Sequence, residues 1–270
     1  MKCLKSIEGQ ITNYCFEVII VLSGSSKNKQ IFSYCSKLSN IKIITENKNN
    51  YCLKRNIGLQ NSNGNYIAYI DDDAKACSDW VNSICLNFKD EWKMAGGQIE
   101  PNFEIDFPKI MKNFDSLIGG YNYCNENDYL SKTIIGCNMF FKKDWLLENG
   151  GFDEEIGLLN MGKKRKLWGG DEVAIARILE NSELGYIAQA KVTHLIQKER
   201  LNIKFLILRA LANGRAKKYH DIKSNTKTFG FKIMMLSIIR ECLHEKRFFF
   251  IFIYIFRLIG YYTMKKSVVK

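Results

Sequence analysis

The stretch "NYIAYIDDDAKACSDW", residues 65–80, ends an apolar run with three consecutive carboxylates, Asp71, Asp72 and Asp73. The run "YIAYI" has the composition of a buried strand, so the aspartates fall at a strand end. Carboxylates this close repel one another unless a cation neutralises them. Hard oxygen ligands favour Mg²⁺ or Mn²⁺, which bind one or two carboxylates and fill their remaining positions with substrate phosphates and water. The stretch therefore predicts a divalent-cation site for a phosphate-bearing substrate.

A structural role for the same aspartates is the alternative. Asp72 or Asp73 would cap the helix "SDWVNSICLNF" that follows, or would be solvated in a loop. Ser78 and Asp79 are closer to that helix and better placed to cap it. We therefore favour a metal or donor site at the three aspartates.

Strand-like runs alternate with helical patterns on both sides of this stretch. Predicted strands are residues 16–24, 41–46, 65–73, 94–101, 133–143 and 184–195, and predicted helices include 28–39, 51–62, 78–92 and 171–183. This alternation predicts an α/β fold with a mostly parallel sheet covered by helices on both faces. Ligands in such sheets bind beyond the carboxyl ends of the strands, where the three aspartates fall.

A second acidic motif lies in "KLWGGDEVAIARILE", residues 166–180, where Asp171 and Glu172 begin a helix after Gly169 and Gly170. Carboxylates favour a helix N-terminus, so these two have a structural explanation. Beside a tryptophan and two glycines, in a protein with a metal site, they also suit a general base that removes a proton from an acceptor hydroxyl. Spacing alone does not choose between these roles.

The length of 270 residues predicts one α/β domain with an appendage. The nine cysteines are scattered without a CxxC pair, which is typical of reduced thiols and a cytoplasmic protein. The chain opens without a signal-peptide pattern, so export is not expected.

The positive charge is concentrated near the C-terminus. Residues 191–270 contain 18 basic and 4 acidic residues, a net charge of +14, which leaves −2 for residues 1–190. Within this region "FFFIFIYIF", residues 248–256, is far shorter than the roughly 20 apolar residues that span a bilayer. An interfacial segment on an anionic membrane surface is therefore predicted. A helix packed on the core or in a homodimer is the alternative. Because the aromatic residues cluster with aliphatic ones, nucleic acid is not expected to bind.

Five motifs together resemble the family 2 glycosyltransferases, GT-A enzymes that transfer a sugar from a nucleoside-diphosphate donor with inversion. In chain order the motifs are "FEVIIVLSGSS", "KRNIGLQNSNGNYIAYIDDDA", "IIGCNMFFKKDWLLENGGFDEEIG", "WGGDEVAIARIL" and "VTHLIQKERL". The resemblance covers most of residues 1–220. It implies a GT-A fold, that is, a Rossmann-like mixed and mostly parallel sheet, followed by a helical, basic, aromatic-rich C-terminal segment.

The resemblance also implies roles for the acidic residues. Asp71 and Asp73 bracket Mn²⁺ or Mg²⁺ and the donor diphosphate, and Asp72 lies on the ribose or sugar side. His194 is a further metal ligand as in some GT-A enzymes, or else a hydrogen-bonded structural residue. Glu172 is the preferred base.

Asp171 remains an alternative base, because the family more often has Asp at the second position of the pair, where this chain has Glu172. The other site residues that the resemblance implies are Arg55, Asn56, Gly97 and Asn138 on the donor side, and Trp168, Gly169 and Gly170 on the acceptor side. For Arg55, a charge on a helix surface is the alternative.

The expected organisation is a catalytic core at residues 1–198 and a membrane-associating helical segment at residues 199–270. Within the core, residues 1–100 hold the nucleotide sugar and residues 101–198 hold the glycan or lipid-linked acceptor. The resulting hypothesis is an inverting, metal-dependent glycosyltransferase of bacterial surface polysaccharide or glycan synthesis, peripheral on the inner face of the cell membrane.

Two departures from the family pattern leave other functions open. The usual first strand, of the type V-S-V-I-I-P-T-Y-N, has no counterpart before "MKCLKSIEGQ", and Leu22 and Ser23 replace the acid after the next strand. The sheet is thus expected to lack an interior strand. A catalytically impaired binding or scaffold protein of the same fold is one alternative, and a metal-dependent nucleotidyltransferase is another.

Overall fold

The alternation of strands and helices is present in the computed structural model, which describes residues 1–24, 29–36, 38, 40–106, 134–159, 170–224 and 248–264. The strands are Val18–Leu22 (β1), Ile41–Thr45 (β2), Tyr66–Ile70 (β3), Ala74–Ala76 (β4), Met94–Phe103 (β5), Asn138–Lys142 (β6) and Leu184–Ile196 (β7). The helices are Lys2–Glu8 (α1), Lys29–Cys35 (α2), Tyr51–Gln60 (α3), Trp80–Asn87 (α4), Lys143–Glu148 (α5), Glu154–Leu159 (α6), Asp171–Ala176 (α7), Ile203–Lys223 (α8) and Phe248–Thr263 (α9).

The strands form a two-stranded sheet, β1–β2, and a five-stranded sheet in the order β3–β6–β5–β7–β4. The longest ladder, nine residue pairs between β5 and β7, is parallel, and so is the five-pair ladder between β1 and β2. The ladders β3–β6, β5–β6 and β4–β7 are antiparallel. The mixed α/β class expected for the chain is therefore confirmed.

The expected loss of an interior strand stays a prediction, but β1 and β3 belong to different sheets in the described part of the chain. Among the described strands, β1 pairs with β2 and β3 pairs with β6, and no ladder joins β1 to β3. The segments that precede these two strands are nevertheless in contact. The Glu17 carboxylate, just before β1, accepts a hydrogen bond at 2.5 Å from the backbone N–H of Asn63, three residues before β3. The sheet is thus divided between β1 and β3.

The five-stranded sheet buries both of its faces, as the alternation of side chains along a strand requires. Met94 and Met139 belong to one core cluster, whereas their sequence neighbours Ala95 and Phe140 belong to the other. All four are fully buried. Helices therefore cover the sheet on both sides, and its functional groups can be reached only at strand ends and loops.

Helices α8 and α9 pack against each other through two glycines. A Cβ atom on Gly214 would lie 1.9 Å from the carbonyl oxygen of Arg257, and one on Gly260 would lie 2.1 Å from that of Leu211. The backbones therefore touch at this crossing. Within the described residues, no helix has the length and apolar character needed to cross a membrane.

The crossing gives a stability prediction with a matched control. Gly214→Ala should lower the free energy of unfolding by about 1–3 kcal/mol, because the new methyl group forces the two backbones apart. Gly58→Ala, also inside a helix but with open space around its Cβ position, should instead raise it by about 1 kcal/mol. Urea denaturation of both variants checks this, and equal effects would contradict the close backbone contact.

Candidate active site

The three aspartates form a turn that is held at both ends by backbone hydrogen bonds. The N–H of Asp71 donates to the carbonyl oxygen of Cys137 at 3.4 Å, just before β6. The N–H of Leu195, near the end of β7, donates to the carbonyl oxygen of Asp73 at 3.0 Å. The turn joins β3 and β4, which are at opposite edges of the five-stranded sheet. The sequence places the carboxylates here because the apolar run stops at Ile70.

Two of these aspartates meet a histidine from β7. Potential ligand atoms of Asp71, Asp73 and His194 all lie within 4.8 Å of one another. Nε2 of His194 lies 3.1 Å from Oδ1 of Asp73, and the imidazole is 3% exposed. His194 is brought there by strand register, since it pairs with Ala74 across the β4–β7 ladder. Asp72 lies between the two aspartates and is exposed.

This group of side chains fits a divalent cation. Two carboxylates and one imidazole are suitable ligands, and each can approach the same point. Burial raises the pKa of Asp71, although Arg55 acts in the opposite direction. For Asp73, burial also acts to raise the pKa, but a hydrogen bond with His194 and the charge of Arg200 outweigh it and lower the pKa. A cation at this point would favour the ionised form of both carboxylates.

Arg55 connects the two acidic motifs. Its guanidinium contacts the Asp171 carboxylate through Nη1, and its Nη2 lies 3.5 Å from Oδ1 of Asp71. The same Nη2 donates to the carbonyl oxygen of Gly136 at 3.2 Å. Burial by itself would lower the pKa of Arg55, but the charges of Asp171 and Asp71 outweigh burial and raise it. Arg55 is therefore a permanent, largely buried cation rather than a charge on a helix surface.

Two aromatic rings hold Arg55 in this position. The guanidinium lies 5.4 Å from the ring centroid of Tyr51 and 5.4 Å from that of Phe152. Tyr51 comes from the same helix, and Phe152 comes from the loop after α5. That loop is fixed by Asn56, whose side chain accepts from the N–H of Phe152 at 2.7 Å and donates to its carbonyl oxygen at 2.9 Å. Asn56, predicted on the donor side, thus contacts protein in this structure.

The second acidic motif begins α7, as expected. Gly170 has φ of +101°, a left-handed conformation that glycine adopts without strain, and it turns the chain into the helix. Asp171 is 3% exposed and contacts Arg55. Burial, followed by the charge of Asp171, raises the pKa of Glu172 well above its usual range. Of the predicted acceptor residues, Trp168 and Gly169 lie outside the described residues.

Asn138 and Gly97 are buried in the strand layer. The side chain of Asn138 accepts a hydrogen bond from Nε1 of Trp80 at 3.0 Å and donates to the carbonyl oxygens of Gln98 and Ala190 at 2.9 and 2.8 Å. A Cβ on Gly97 would lie 2.2 Å from the Ala190 carbonyl oxygen. Their contacts explain strand packing, and their donor-binding role stays a prediction.

Arg200 is a candidate site residue to which the sequence analysis assigned no role. Its guanidinium lies 3.4 Å from Oδ2 of Asp73, and its side chain is 30% exposed. It belongs to a short 3₁₀ turn, Lys198–Arg200, directly after β7. The motif "VTHLIQKER" could have indicated this role, because it places His194 and Arg200 on either side of the end of one strand. Arg200 pairs with Asp73 whereas Arg55 pairs with Asp71, so two cations contact the carboxylate cluster.

The mixed α/β core has the GT-A fold of glycosyltransferases. The fold is similar to a mannosyltransferase from Pyrobaculum calidifontis solved with GDP-Man and Mn²⁺, with a TM-score of 0.57 and 12% identity over 98% of this chain and 72% of that one. It is also similar to GalNAc-T7 solved with UDP, GalNAc and Mn²⁺, with a TM-score of 0.54 and 14% identity over 83% and 47% of the two chains. At these identities the likeness shows the fold.

The sequence defines the family. Residues 1–150 match the profile of Glycosyl transferase family 2, and the chain belongs to this family. It is 28% identical to a glucosyl-dolichyl phosphate glucuronosyltransferase of Haloferax volcanii over 67% of this chain. It is 27% identical to a chondroitin synthase of Escherichia coli over 66% of this chain. The matches span 60% and 28% of the lengths of these two relatives.

The cation site can be tested with Mn²⁺ alone. Asp73→Asn should weaken Mn²⁺ binding by roughly tenfold or more, because it removes a charged ligand atom from the cluster. Asp72→Asn is the matched control: it removes the same charge one residue away, outside the cluster, and should change the affinity much less. Titration followed by electron paramagnetic resonance measures free Mn²⁺ directly. Wild-type affinity in Asp73→Asn would contradict the assignment.

Proposed function

We propose that this chain is a glycosyltransferase that moves a sugar from a nucleoside diphosphate to an acceptor hydroxyl, with inversion at the anomeric carbon. The observation that carries the proposal is the Arg55 link. It brings Asp171, at the start of α7, into one ion-pair network with Asp71, at the end of β3. A cation site for a diphosphate and a carboxylate suited to proton removal therefore share one site.

On the donor side, Asp71, Asp73 and His194 would hold Mn²⁺ or Mg²⁺. When bound, such a cation offsets the charge on the diphosphate of the donor and of the product. Arg200 lies beside Asp73 and remains partly exposed, so its guanidinium can also contact a phosphate oxygen. Asp72, exposed between the metal ligands, is free of the cluster and available to the ribose or sugar hydroxyls.

On the acceptor side, the structure supports Glu172 as the base. Asp171 forms an ion pair with Arg55, so its carboxylate is already engaged in a contact within the protein. Glu172 has a raised pKa, so it binds a proton more strongly. In the proposed reaction its carboxylate takes the acceptor proton while the acceptor oxygen attacks the anomeric carbon from the face opposite the diphosphate. One displacement of this kind inverts the configuration.

The relatives suggest the kind of product. One is named as a glucuronosyltransferase acting on glucosyl-dolichyl phosphate and another as a chondroitin synthase. We propose that the acceptor is a glycan or a lipid-linked saccharide in bacterial surface polysaccharide or related glycan synthesis. A binding or scaffold protein is the second candidate, favoured by the absence of a ladder between β1 and β3 in the described sheets.

Donor binding and turnover separate these candidates. The purified chain is titrated with UDP, GDP, dTDP and CDP and their sugars in Mn²⁺, and release of free sugar is measured. Glu172→Gln should keep nucleotide affinity but lose roughly 100-fold or more in turnover, since a general base contributes about 10²–10⁴-fold. Glu148→Gln, on the exposed end of α5, is the control.

The pH dependence adds a second test of the base. Because the pKa of Glu172 is raised, its carboxyl is protonated at low pH and becomes a base only as the pH increases, so turnover should rise with pH above the ordinary carboxylate range. The rise should disappear in Glu172→Gln. Nucleotide binding without any turnover in the wild type would favour the scaffold candidate.

We further propose that α8 and α9 dock on an anionic membrane, at the inner face of the cell membrane. Four apolar side chains of α9 recur at intervals of three or four residues and are 40–55% exposed: Phe252, Ile255, Ile259 and Tyr262. This spacing places them along one helix face. The net charge of +14 over residues 191–270 complements anionic lipid. We call this row the α9 stripe.

Vesicle flotation tests the α9 stripe. The double variant Ile255→Glu, Ile259→Glu should bind vesicles of phosphatidylserine and phosphatidylcholine roughly tenfold or more weakly. The two isoleucines are 46% and 43% exposed, so each can gain only part of the roughly 1.5–3 kcal/mol that full burial of an isoleucine contributes. Leu86→Glu is the matched control, because Leu86 of α4 is also an exposed apolar residue, with 64% exposure, and lies outside the stripe. If the wild type does not float but forms a dimer that the double variant disrupts, the stripe is an interface between copies instead.

A further inference from the structure

A second cavity lies behind the candidate active site. It has a volume of about 660 Å³, is partly open to solvent, and is lined by the loop after α5, by α7 and the turn after it, and by the C-terminal part of α8. Its lining includes Phe152, Arg177, Lys217, His220, Asp221 and Lys223. A volume of this size is in the range of small-ligand sites. We call it the α7–α8 cavity; it contains none of the residues assigned above to the donor, the cation or the base.

The cavity is a neighbour of the catalytic groups. Phe152 lines it and also contacts the Arg55 guanidinium, so this aromatic ring belongs to both sites. Helix α7 starts with Asp171 and contributes Ala174 and Ile175 to the cavity wall. A ligand bound here would therefore lie beside the helix that carries the proposed base.

The polar groups of the cavity are arranged as alternating donors and acceptors. Arg177 and Lys217 lie 3.2 and 3.4 Å from the two carboxylate oxygens of Asp221. Lys223 lies 2.7 Å from the Asp153 carboxylate on the same wall. Lysine and arginine carry three and five N–H donors, and each carboxylate has several acceptor positions, so these pairs leave capacity for a ligand.

Tyrosine hydroxyls support both carboxylates from outside the cavity. Tyr219 donates to Asp153 at 2.7 Å and Tyr261 donates to Asp221 at 3.0 Å. Asp221 is only 5% exposed, so its charge is held in place by protein groups. The apolar part of the wall is formed by Leu146, Phe152 and Ile175. An apolar wall combined with fixed hydrogen-bond donors and acceptors suits a sugar, whose ring carries several hydroxyl groups.

His220 supplies an independent sign of a missing partner. The residue is 7% exposed and lines the cavity, yet its Nε2 has no hydrogen-bond partner. Burial, followed by the charge of Arg177, lowers the pKa of His220 to about 4, although an interaction of the ring with the Gly170 backbone acts in the opposite direction. The ring is therefore neutral, and Nε2 can exchange one hydrogen bond. Nε2 lies 3.4 Å from the position a Cβ would take on Gly170, the residue before Asp171. Buried polar atoms in native proteins rarely lack a hydrogen-bond partner.

We infer that the α7–α8 cavity binds a sugar unit of the acceptor saccharide, with its hydroxyls paired to Arg177, Asp221 and His220. This inference rests on the proposed function, because only a transferase needs an acceptor next to its base. It extends that function by assigning the acceptor a site on α7 and α8 in addition to the loop before α7.

Two blocking variants on different elements test the inference. Ser224→Trp, at the exposed end of α8, and Ile178→Trp, at a 62% exposed position after α7, would each fill the cavity without touching Asp171 or Glu172. Ser33→Trp, exposed on α2, is the matched control. The probes are unsulfated chondroitin tetrasaccharide, which is acidic, and cellotetraose, which is neutral. Binding of each probe to the full chain is measured by calorimetry.

The inference expects at least one tetrasaccharide to bind the wild type and Ser33→Trp, and both blocking variants to weaken that binding roughly tenfold or more. Nucleotide affinity should be unchanged in all three variants. Binding that survives both blocking variants, or no binding of either tetrasaccharide to the wild type, overturns the inference. Nucleotide binding is measured in parallel, so its absence would count against the proposed function alone.

Discussion

The contact between Arg55 and the carboxylates of Asp71 and Asp171 is the interaction on which the rest of the site depends. Without this cation, two partly or fully buried carboxylates on different elements would face each other uncompensated, and burial of unpaired charge is strongly destabilising. The guanidinium also receives support from Tyr51 and Phe152. One side chain therefore links the aspartate turn to the start of α7, and its own position is fixed by aromatic packing.

The same arrangement gives two adjacent acidic residues different environments. Asp171 forms an ion pair with Arg55, whereas Glu172 lies beside it with a raised pKa. Neighbouring carboxylates in different environments can thus carry different roles, one structural and one chemical. The loop that contains Phe152 takes part in both the Arg55 contact and the wall of the α7–α8 cavity. The donor and acceptor sides of the proposed reaction consequently share a small set of supporting groups.

Local patterns predicted the parts of this protein that depend on neighbouring residues. The apolar run before Asp71, the helix that begins at Asp171 and the α/β alternation were all visible in the sequence. Contacts between distant segments were not, because no local periodicity encodes them. No local pattern indicated that Arg55 contacts two carboxylates 16 and 116 residues away along the chain, and its expected contact with the nucleotide stays a prediction.

The same limit applies to the polar and small residues of the core. Asn138 carries no local signal that Trp80, Gln98 and Ala190 would use its hydrogen-bonding capacity. The close crossing of α8 and α9 likewise depends on Gly214 and Gly260, which only tertiary packing brings together. Nor does the order β3–β6–β5–β7–β4 follow from the order of strands along the chain, since each pairing depends on long-range register.

The aspartate turn has a consequence for how this chain can vary. Only three residues join β3 to β4, although these strands occupy opposite edges of a five-stranded sheet. An extended residue spans at most about 3.6 Å, so the sheet must curl strongly to let so short a connection close. With one residue fewer, the connection would be too short to join β3 to β4. With one residue more, it would no longer hold the sheet in this curvature. Length changes between relatives are therefore expected in other loops, while this segment keeps its residue count.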